Sequence, residues 1–157
     1  MSRMDRKAEK TRELIMQARH MSVHFVMFSQ VVAERVGIHP TDNECLDFLL
    51  LNGPSTAGQL AALTGLTTGA VTAVIDRLEQ AGFVRREHDQ KDRRRVIVVP
   101  NVEKIQAEIM PYTTPMGEAL EGLTTEFSEA ELDVILKFVT RANEFAARVI
   151  AETRGEK

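Results

Sequence analysis

The pattern of apolar and polar positions between residues 56 and 82 predicts two short helices joined by a tight turn. Thr56 and Gln59 stand at capping-box spacing, in which the two side chains satisfy free N–H groups at the start of a helix. Gly65 permits the left-handed conformation that ends a helix and reverses the chain. We expect the first helix to bury the side formed by Leu60, Ala61, Leu63 and Leu66.

The second helix of this pair presents two contrasting faces. Thr67 is placed to cap it, and the apolar residues that follow form one stripe facing the core, made of Val71, Val74, Ile75 and Leu78. At about 100° per residue, the opposite face carries only small and polar residues, which are Gly69, Thr72, Ala73, Asp76, Arg77 and Gln80. A groove of DNA could accept such a face, because no bulky apolar group protrudes from it.

Two β-type runs follow this helix and enclose a charged turn. Residues 83–87 and 95–99 have the β-branched content typical of strands, and the turn contains Asp-Gln-Lys-Asp-Arg-Arg-Arg. Two helices followed by a basic hairpin are the layout of a winged helix-turn-helix, which places one helix in the major groove and the hairpin beside it. The predicted fold class is therefore mainly α (α+β), a winged helix-turn-helix with a two-stranded wing.

Charge is distributed unevenly along the chain. The formal net charge is −3 and the pI is 5.8, yet residues 77–95 hold seven Lys or Arg against four Asp or Glu. Taken alone, Arg93, Arg94 and Arg95 are typical of a solvated loop. Beside a small and polar helix face they instead indicate a local approach to phosphate groups, so the acidic total does not exclude DNA as a partner.

Long amphipathic helices are predicted at both ends of the chain. Between residues 6 and 36, one apolar face contains Leu14, Ala18, Met21, Phe25, Phe28 and Val32. Ser128 and Glu131 form a second capping box, and a long apolar face follows them. Packing against a second copy would bury both helices, and a bundle within a monomer is the alternative. We expect dimer contacts at Leu14, Ala18, Met21, Leu136, Val139, Ala146, Val149 and Ile150.

The length of 157 residues is that of one ordinary domain with one core. We expect a single domain over residues 1–157, with a DNA-binding lobe at 38–100 and helical dimerisation regions at 5–37 and 101–157. Pro111 and Pro115 interrupt a helical pattern between residues 102 and 123. Because proline removes a helical hydrogen bond, we expect a break near residues 112–114, with Thr114 capping a second piece.

Nearly the whole chain resembles the MarR family of bacterial transcription regulators, and two stretches carry the most specific part of this resemblance. The wing pattern of the family, Asp-x-Arg-x-x-x-Val-x-Leu-Thr, falls on Asp92, Arg94 and Val98 and fails at residues 100 and 101. Residues 70–86 resemble the recognition helix of the family and its connection to the wing. The resemblance implies a dimer, an Arg94 side chain in the minor groove and an Asp92 that holds this arginine in place.

The helix face and the resemblance together predict a set of DNA-binding residues. These are Thr67, Thr68, Gly69, Thr72, Ala73, Arg77, Asp92, Arg93, Arg94 and Arg95. Ala73 stands where many members of the family carry a larger polar or basic residue, so base recognition there is either weak or confined to contact with a thymine methyl group. The predicted function is a homodimeric repressor that binds a palindromic operator in double-stranded DNA and is released by a small effector. The alternatives are a winged-helix protein-interaction module and a redox- or metal-responsive regulator.

Few residues point to a sensing role. His20 and His24 have a spacing that can ligate zinc, but two histidines without further ligands do not make a metal site. Cys45 is interpreted as a buried thiol rather than a peroxide sensor, because Glu44 and Asp47 disfavour a thiolate. The effector implied by the resemblance, an aromatic or phenolic acid, would occupy an apolar pocket lined by His20, His24, Phe28 and Tyr112.

Enzyme and membrane functions have little support in the sequence. It contains no glycine-rich phosphate loop, no Gly-x-Ser-x-Gly elbow and no metal-ligand cluster, so we expect neither catalysis nor a cofactor. No apolar run approaches the roughly 18 residues of a membrane span. The first ten residues are too polar for a secretory signal, and the expected location is the cytoplasm.

Overall fold

The computed structural model describes residues 3–89 and 92–155 of the chain. The elements follow in the order α1 Arg3–Val36, α2 Pro40–Asn52, α3 Ala57–Thr64, α4 Thr68–Gln80, β1 Val84–His88, β2 Val96–Pro100, α5 Val102–Glu108, α6 Met110–Thr124 and α7 Glu129–Arg154. The predicted fold, a mainly α winged helix-turn-helix between long terminal helices, is confirmed. The chain divides into two compact units, residues 1–113 and residues 114–157.

The helix-turn-helix is formed by α3 and α4, and local hydrogen bonds set both helix starts. Thr56 and Gln59 form the predicted capping box: the Gln59 N–H donates to Thr56 Oγ1 at 3.2 Å, and the Thr56 N–H donates to Gln59 Oε1 at 2.8 Å. Gly65 ends α3 in the left-handed region, with a φ of 74°. Thr67 then caps α4 by accepting the Ala70 N–H at 3.3 Å. These predictions from the sequence are confirmed.

The two strands form an antiparallel hairpin in which Val84 is opposite Pro100 and His88 is opposite Val96. Each strand begins one residue later than predicted, and Phe83, the first residue of the predicted run, is a buried core side chain. Ser55 forms an isolated antiparallel bridge with Val98 of β2. The Ser55 N–H donates to the Val98 carbonyl at 3.2 Å, and the Val98 N–H donates to the Ser55 carbonyl at 2.8 Å. This bridge holds the base of the wing against the start of α3.

One hydrophobic core holds the first unit together and draws on all of its helices as well as both strands. Its buried residues are Val32, Cys45, Leu46, Leu49, Leu60, Val71, Val74, Ile75, Leu78, Phe83, Val84, Val98, Ile105 and Ile109. The predicted apolar stripe of α4 is therefore confirmed as its buried face. The predicted burial of Leu63 is wrong, because the short α3 fully buries only Leu60 and leaves Leu63 at the edge, 39% exposed.

The segment with two prolines breaks earlier than predicted. α5 ends at Glu108, and α6 begins at Met110 and continues through Pro115 to Thr124. The expected break at residues 112–114 and the expected cap at Thr114 are therefore wrong. Pro111 lies in the first turn of α6, where a missing N–H costs no helical hydrogen bond, and the break falls at Ile109, whose side chain is buried in the core.

The second unit contains most of α6 and all of α7. The backbone N–H and the hydroxyl of Ser128 both donate to Glu131 Oε2, at 2.8 and 2.6 Å, at the predicted capping box. These hydrogen bonds lower the pKa of the Glu131 carboxyl. No residue of α7 is buried. Large apolar side chains are instead exposed along the helix at Val134, Ile135, Leu136, Phe138, Val139, Phe145, Val149 and Ile150.

Candidate nucleic-acid interface

The outer face of α4 carries small and polar side chains. Gly69, Thr72 and Ala73 are exposed, and apart from the adjacent residues and the backbone of the helix itself, no described atom lies within 4 Å of the position that a Cβ on Gly69 would take. The Thr72 hydroxyl donates to the Thr68 carbonyl at 2.9 Å, and its oxygen keeps lone pairs that can accept a further hydrogen bond. The exposed N-terminal turn also presents Thr67 and Thr68. The face can therefore approach a base edge or a thymine methyl group closely.

Arg77 lies on this helix but is held by a buried carboxylate. Its Nε donates to Asp42 Oδ2 at 2.9 Å, and its Nη2 contacts Asp42 Oδ1. The Asp42 side chain is only 3% exposed, whereas that of Arg77 is 49% exposed. This two-point hydrogen bond raises the pKa of Arg77. The pair connects α4 to the first turn of α2, and it does not use Nη1 of the guanidinium group.

Arg86 makes the second connection to α4, from strand β1. Its guanidinium group contacts the carboxylates of Asp76 and Glu79, and its backbone N–H donates to Glu79 Oε1 at 3.0 Å. These contacts hold the wing strand beside the exposed side of α4. We call Asp42, Arg77, Asp76, Glu79 and Arg86 together the α4 clamp. Its two arginines fix the helix to α2 on one side and to the wing on the other.

The tip of the wing is built by two aspartates acting on backbone groups. Asp89 Oδ1 accepts the Asp92 N–H at 3.2 Å, and Asp92 Oδ1 accepts the Arg94 N–H at 3.1 Å. The Arg95 N–H donates to the Asp92 carbonyl at 2.9 Å, and the Arg93 carbonyl accepts from His88 Nδ1 at 3.0 Å. Asp92 therefore holds Arg94 through its backbone N–H. Residues 90 and 91 of the predicted turn lie outside the described residues.

The wing-tip arginines differ from those of the clamp. Arg93, Arg94 and Arg95 are all exposed, and in the part of the chain that the structure describes no salt bridge joins them to a carboxylate. Their guanidinium groups extend from a turn whose backbone is fixed by hydrogen bonds. They are thus available to an external anion.

Asp42 was missed as a site residue by sequence reasoning, although the sequence carries a signal for it. Asp42 stands three, four and seven residues before Cys45, Leu46 and Leu49, so it shares the apolar face of α2. A carboxylate on such a face requires a partner, because burying an unpaired charge is costly. The pattern could have predicted a buried ion pair, but not that Arg77 supplies the cation.

The residues proposed from the sequence for an effector pocket do not come together. Phe28 lines a cavity of about 300 Å³ with Phe25, Ser29, Val32, Asn43, Asp47, Ile109 and Thr113. Tyr112 lines a different cavity of about 300 Å³, beside Arg35, Val36 and Pro111. His20 and His24 are exposed on α1 and line neither cavity. Only Phe28 of the four therefore faces the cavity between α1 and α2.

Cys45 is fully buried in the core. Burial raises the pKa of its thiol to about 11, with further increases from Asp42 and Glu44 and a smaller opposing effect from Arg77. Such a thiol is protonated at neutral pH, and its reactivity is accordingly low. The interpretation of Cys45 as a buried thiol is confirmed.

No group of three or more His, Cys, Asp or Glu is arranged to hold a metal ion among residues 3–89 and 92–155. Within the same residues no single helix has the length and apolar character to cross a membrane, although the α3–α4 pair, bent by 112°, passes that test jointly.

Comparison with known proteins identifies the relatives of this chain. The family model described as MarR family matches residues 36–95. The HTH-type transcriptional regulator YcgE of Bacillus subtilis strain 168 is 40% identical over 142 residues, which is 90% of this chain and 92% of the relative. The chain belongs to the MarR family. MarR proteins are transcription regulators, so the predicted absence of enzyme function is confirmed by the family.

Solved structures share the MarR fold of this chain at low sequence identity. A MarR family protein from Bacillus stearothermophilus is 21% identical with a TM-score of 0.68, over 89% of this chain and 97% of that one. A mutant of S. aureus MepR bound to an oligodeoxyribonucleotide is 18% identical with a TM-score of 0.55, over 85% and 97%. At these identities the likeness supports the fold alone.

Proposed function

We propose that this MarR protein is a homodimeric repressor that binds a near-palindromic operator in double-stranded DNA. The observation that carries the proposal is the exposed face of small and polar residues on α4, together with a wing tip that has three exposed arginines. Groove contacts by a helix and phosphate or minor-groove contacts by a basic hairpin are the division of labour in winged helix proteins. The MepR relative bound to an oligodeoxyribonucleotide supports the same use of the fold.

The predicted DNA-binding residues fall into four groups in this proposal. Thr72 and Ala73 contact base edges. Thr67, Thr68 and Gly69 allow the N-terminus of α4 to lie close to the sugar-phosphate backbone of the DNA. Arg93, Arg94 and Arg95 engage phosphate or a narrow minor groove, with Asp92 shaping their turn. Arg77 offers its Nη1 to a phosphate while its other contacts hold α4 in place.

The exposed apolar faces of the two terminal helices support a dimer. Each face is a continuous row of exposed apolar side chains, whereas the surface of an ordinary monomer carries such side chains singly. The proposed contacts are Leu14, Ala18, Met21, Leu136, Val139, Ala146, Val149 and Ile150, most of them exposed in the single chain. A twofold dimer would place its recognition helices in major grooves about 34–36 Å apart.

One experiment tests the central proposal. DNA from beside the gene of this protein is titrated with the full chain in a gel shift, and the bound region is then footprinted. We expect a single protected region with dyad symmetry, bound by a species that sediments as a dimer. Absence of DNA binding would overturn the proposal and favour a winged-helix protein-interaction module. A monomer that binds with full affinity would overturn the dimer.

We further propose that a small molecule regulates operator binding by occupying the cavity at Phe28. A ligand changes DNA affinity only if it binds the two conformations of the regulator unequally. The alternative of a redox-responsive regulator receives no support from Cys45, whose pKa is raised to about 11. Because the proposed target is chromosomal DNA, we expect the protein to act in the cytoplasm.

A further inference from the structure

The cavity at Phe28 combines apolar walls with a single carboxylate. Phe25, Phe28 and Ile109 supply aromatic and aliphatic surface within a volume of about 300 Å³. Asp47 is the one charged side chain among the described residues that line it. Small-ligand sites in proteins commonly pair an apolar body with a few polar groups that set specificity. The charge of this lining is therefore the feature that selects a ligand.

The surroundings of Asp47 disfavour additional negative charge. Asp47 is exposed in the single chain, but its carboxyl is partly removed from water, which raises its pKa, and the nearby Glu44 raises the pKa further. Among residues 3–89 and 92–155, no Lys, Arg or His forms a salt bridge with Asp47. An incoming carboxylate would add a third negative charge, whereas a cation would compensate two existing ones.

We propose that this cavity binds a small aromatic cation, an amine or an amidine, with its charged group on Asp47 and its ring against Phe25 and Phe28. The aromatic faces add to the attraction, because the π-face of a ring attracts a cation. This inference rests on the proposed regulatory function and changes the expected class of effector from an aromatic acid to an aromatic cation.

The cavity also has a short connection to the recognition helix. Two of its lining residues, Ser29 on α1 and Asn43 on α2, are joined by a hydrogen bond of 2.9 Å from Asn43 Nδ2 to Ser29 Oγ. Asn43 follows Asp42, the residue that holds Arg77 of α4. A ligand that displaces the Ser29–Asn43 bond therefore acts on the turn that positions Arg77. The first turn of α2 is thus the route by which we propose that binding in the cavity acts on the DNA-binding face.

Three probes of nearly the same shape test the ligand class: benzamidinium, benzamide and benzoate. Each is titrated into the full chain without DNA, and binding is followed by NMR shift changes. We expect benzamidinium to bind about tenfold more tightly than benzamide, as a charge-assisted hydrogen bond is stronger than a neutral one, and benzoate to bind more weakly than both. Equal binding of the three, or preferred binding of benzoate, would overturn the proposal.

Two variants locate the charge effect. Asp47→Asn should remove the preference for benzamidinium while leaving benzamide affinity unchanged. Glu44→Gln is the matched control, because Glu44 lies on the same helix but does not line the cavity, and it should retain most of the preference. A preference that survives Asp47→Asn would overturn the assignment. Thermal unfolding of each variant checks the fold, and the ranking of probes on the parent chain stands without any variant.

The regulatory part is measured separately. Operator affinity of the parent chain is compared with and without saturating benzamidinium, and linkage requires an equal change in benzamidinium affinity when operator is bound. An unchanged operator affinity would overturn the effector role. A parent chain that binds no DNA at all would instead contradict the proposed function, while the ligand ranking measured without DNA would remain a valid test of the cavity.

Discussion

The α4 clamp and the wing tip are both rich in arginine, but they use it in opposite ways. In the clamp, Arg77 and Arg86 are paired with carboxylates of α2 and α4. At the wing tip, Arg93, Arg94 and Arg95 are exposed, and their turn is held by backbone hydrogen bonds instead. A cation that satisfies a fixed carboxylate positions structure, whereas an unpaired one can be neutralised by an external phosphate. Counting positive charges therefore overstates the number of arginines whose guanidinium group is entirely free for DNA.

The largest expected difference between the two regions is in stability. Arg77→Ala would leave the buried Asp42 carboxylate without its partner. We expect the free energy of unfolding to fall by about 1–3 kcal/mol, less than for a fully buried pair because the guanidinium is half exposed. Urea unfolding measures this loss. Arg85→Ala is the matched control, since it breaks only an exposed pair with Glu87 and should cost well under about 1 kcal/mol. Equal losses would contradict a special role for the clamp.

The next largest effect belongs to the wing and concerns DNA rather than folding. Arg94→Ala should leave the free energy of unfolding in urea unchanged, because the Arg94 side chain forms no salt bridge with the described residues. Operator affinity should fall about tenfold, and the slope of log affinity against log salt should become shallower by about 0.9, the value for one lost phosphate contact. Affinity measured at several salt concentrations decides the matter. Normal binding at physiological salt would show that the wing is assigned wrongly.

Arg86 provides a test intermediate between the two regions, because it lies on the wing strand but contacts α4. Arg86→Ala should lower operator affinity by about threefold to tenfold by loosening the wing relative to α4, with little change in the salt slope. The free energy of unfolding should fall by about 1 kcal/mol or less. A shallower salt slope, as expected for Arg94→Ala, would mean that Arg86 contacts phosphate and does not belong to the clamp.

The smallest effect is expected on the helix face itself. Thr72→Ser keeps the hydroxyl that donates to Thr68 but removes the methyl group of this exposed side chain. We expect a loss of about 0.5–1 kcal/mol in preference for operator sites with thymine at one position, and unchanged binding to unrelated DNA. Competition between operator variants measures this preference. If Thr72→Ser leaves the ranking of sites intact, base recognition lies elsewhere on α4.

Several parts of the fold could be predicted because their causes lie within a few residues along the chain. The capping boxes at Thr56 and Ser128, the left-handed Gly65 and the buried stripe of α4 depend on spacings of four residues or fewer. Such features require no knowledge of distant partners. The motif in the wing likewise identified the family before any geometry was known.

The sequence by itself therefore determined the fold class, the exposed face of the recognition helix and the basic turn beside it, since local hydrogen bonding and periodic burial specify them. Only the tertiary structure decided which arginines pair with carboxylates of the chain itself. Arg77 meets Asp42 across 35 positions of sequence, and nothing in the spacing of either residue names the other. It likewise decided that Phe28 shares a cavity with Asp47 while His20, His24 and Tyr112 do not, because side chains from separate helices meet only once the core that orients those helices has formed.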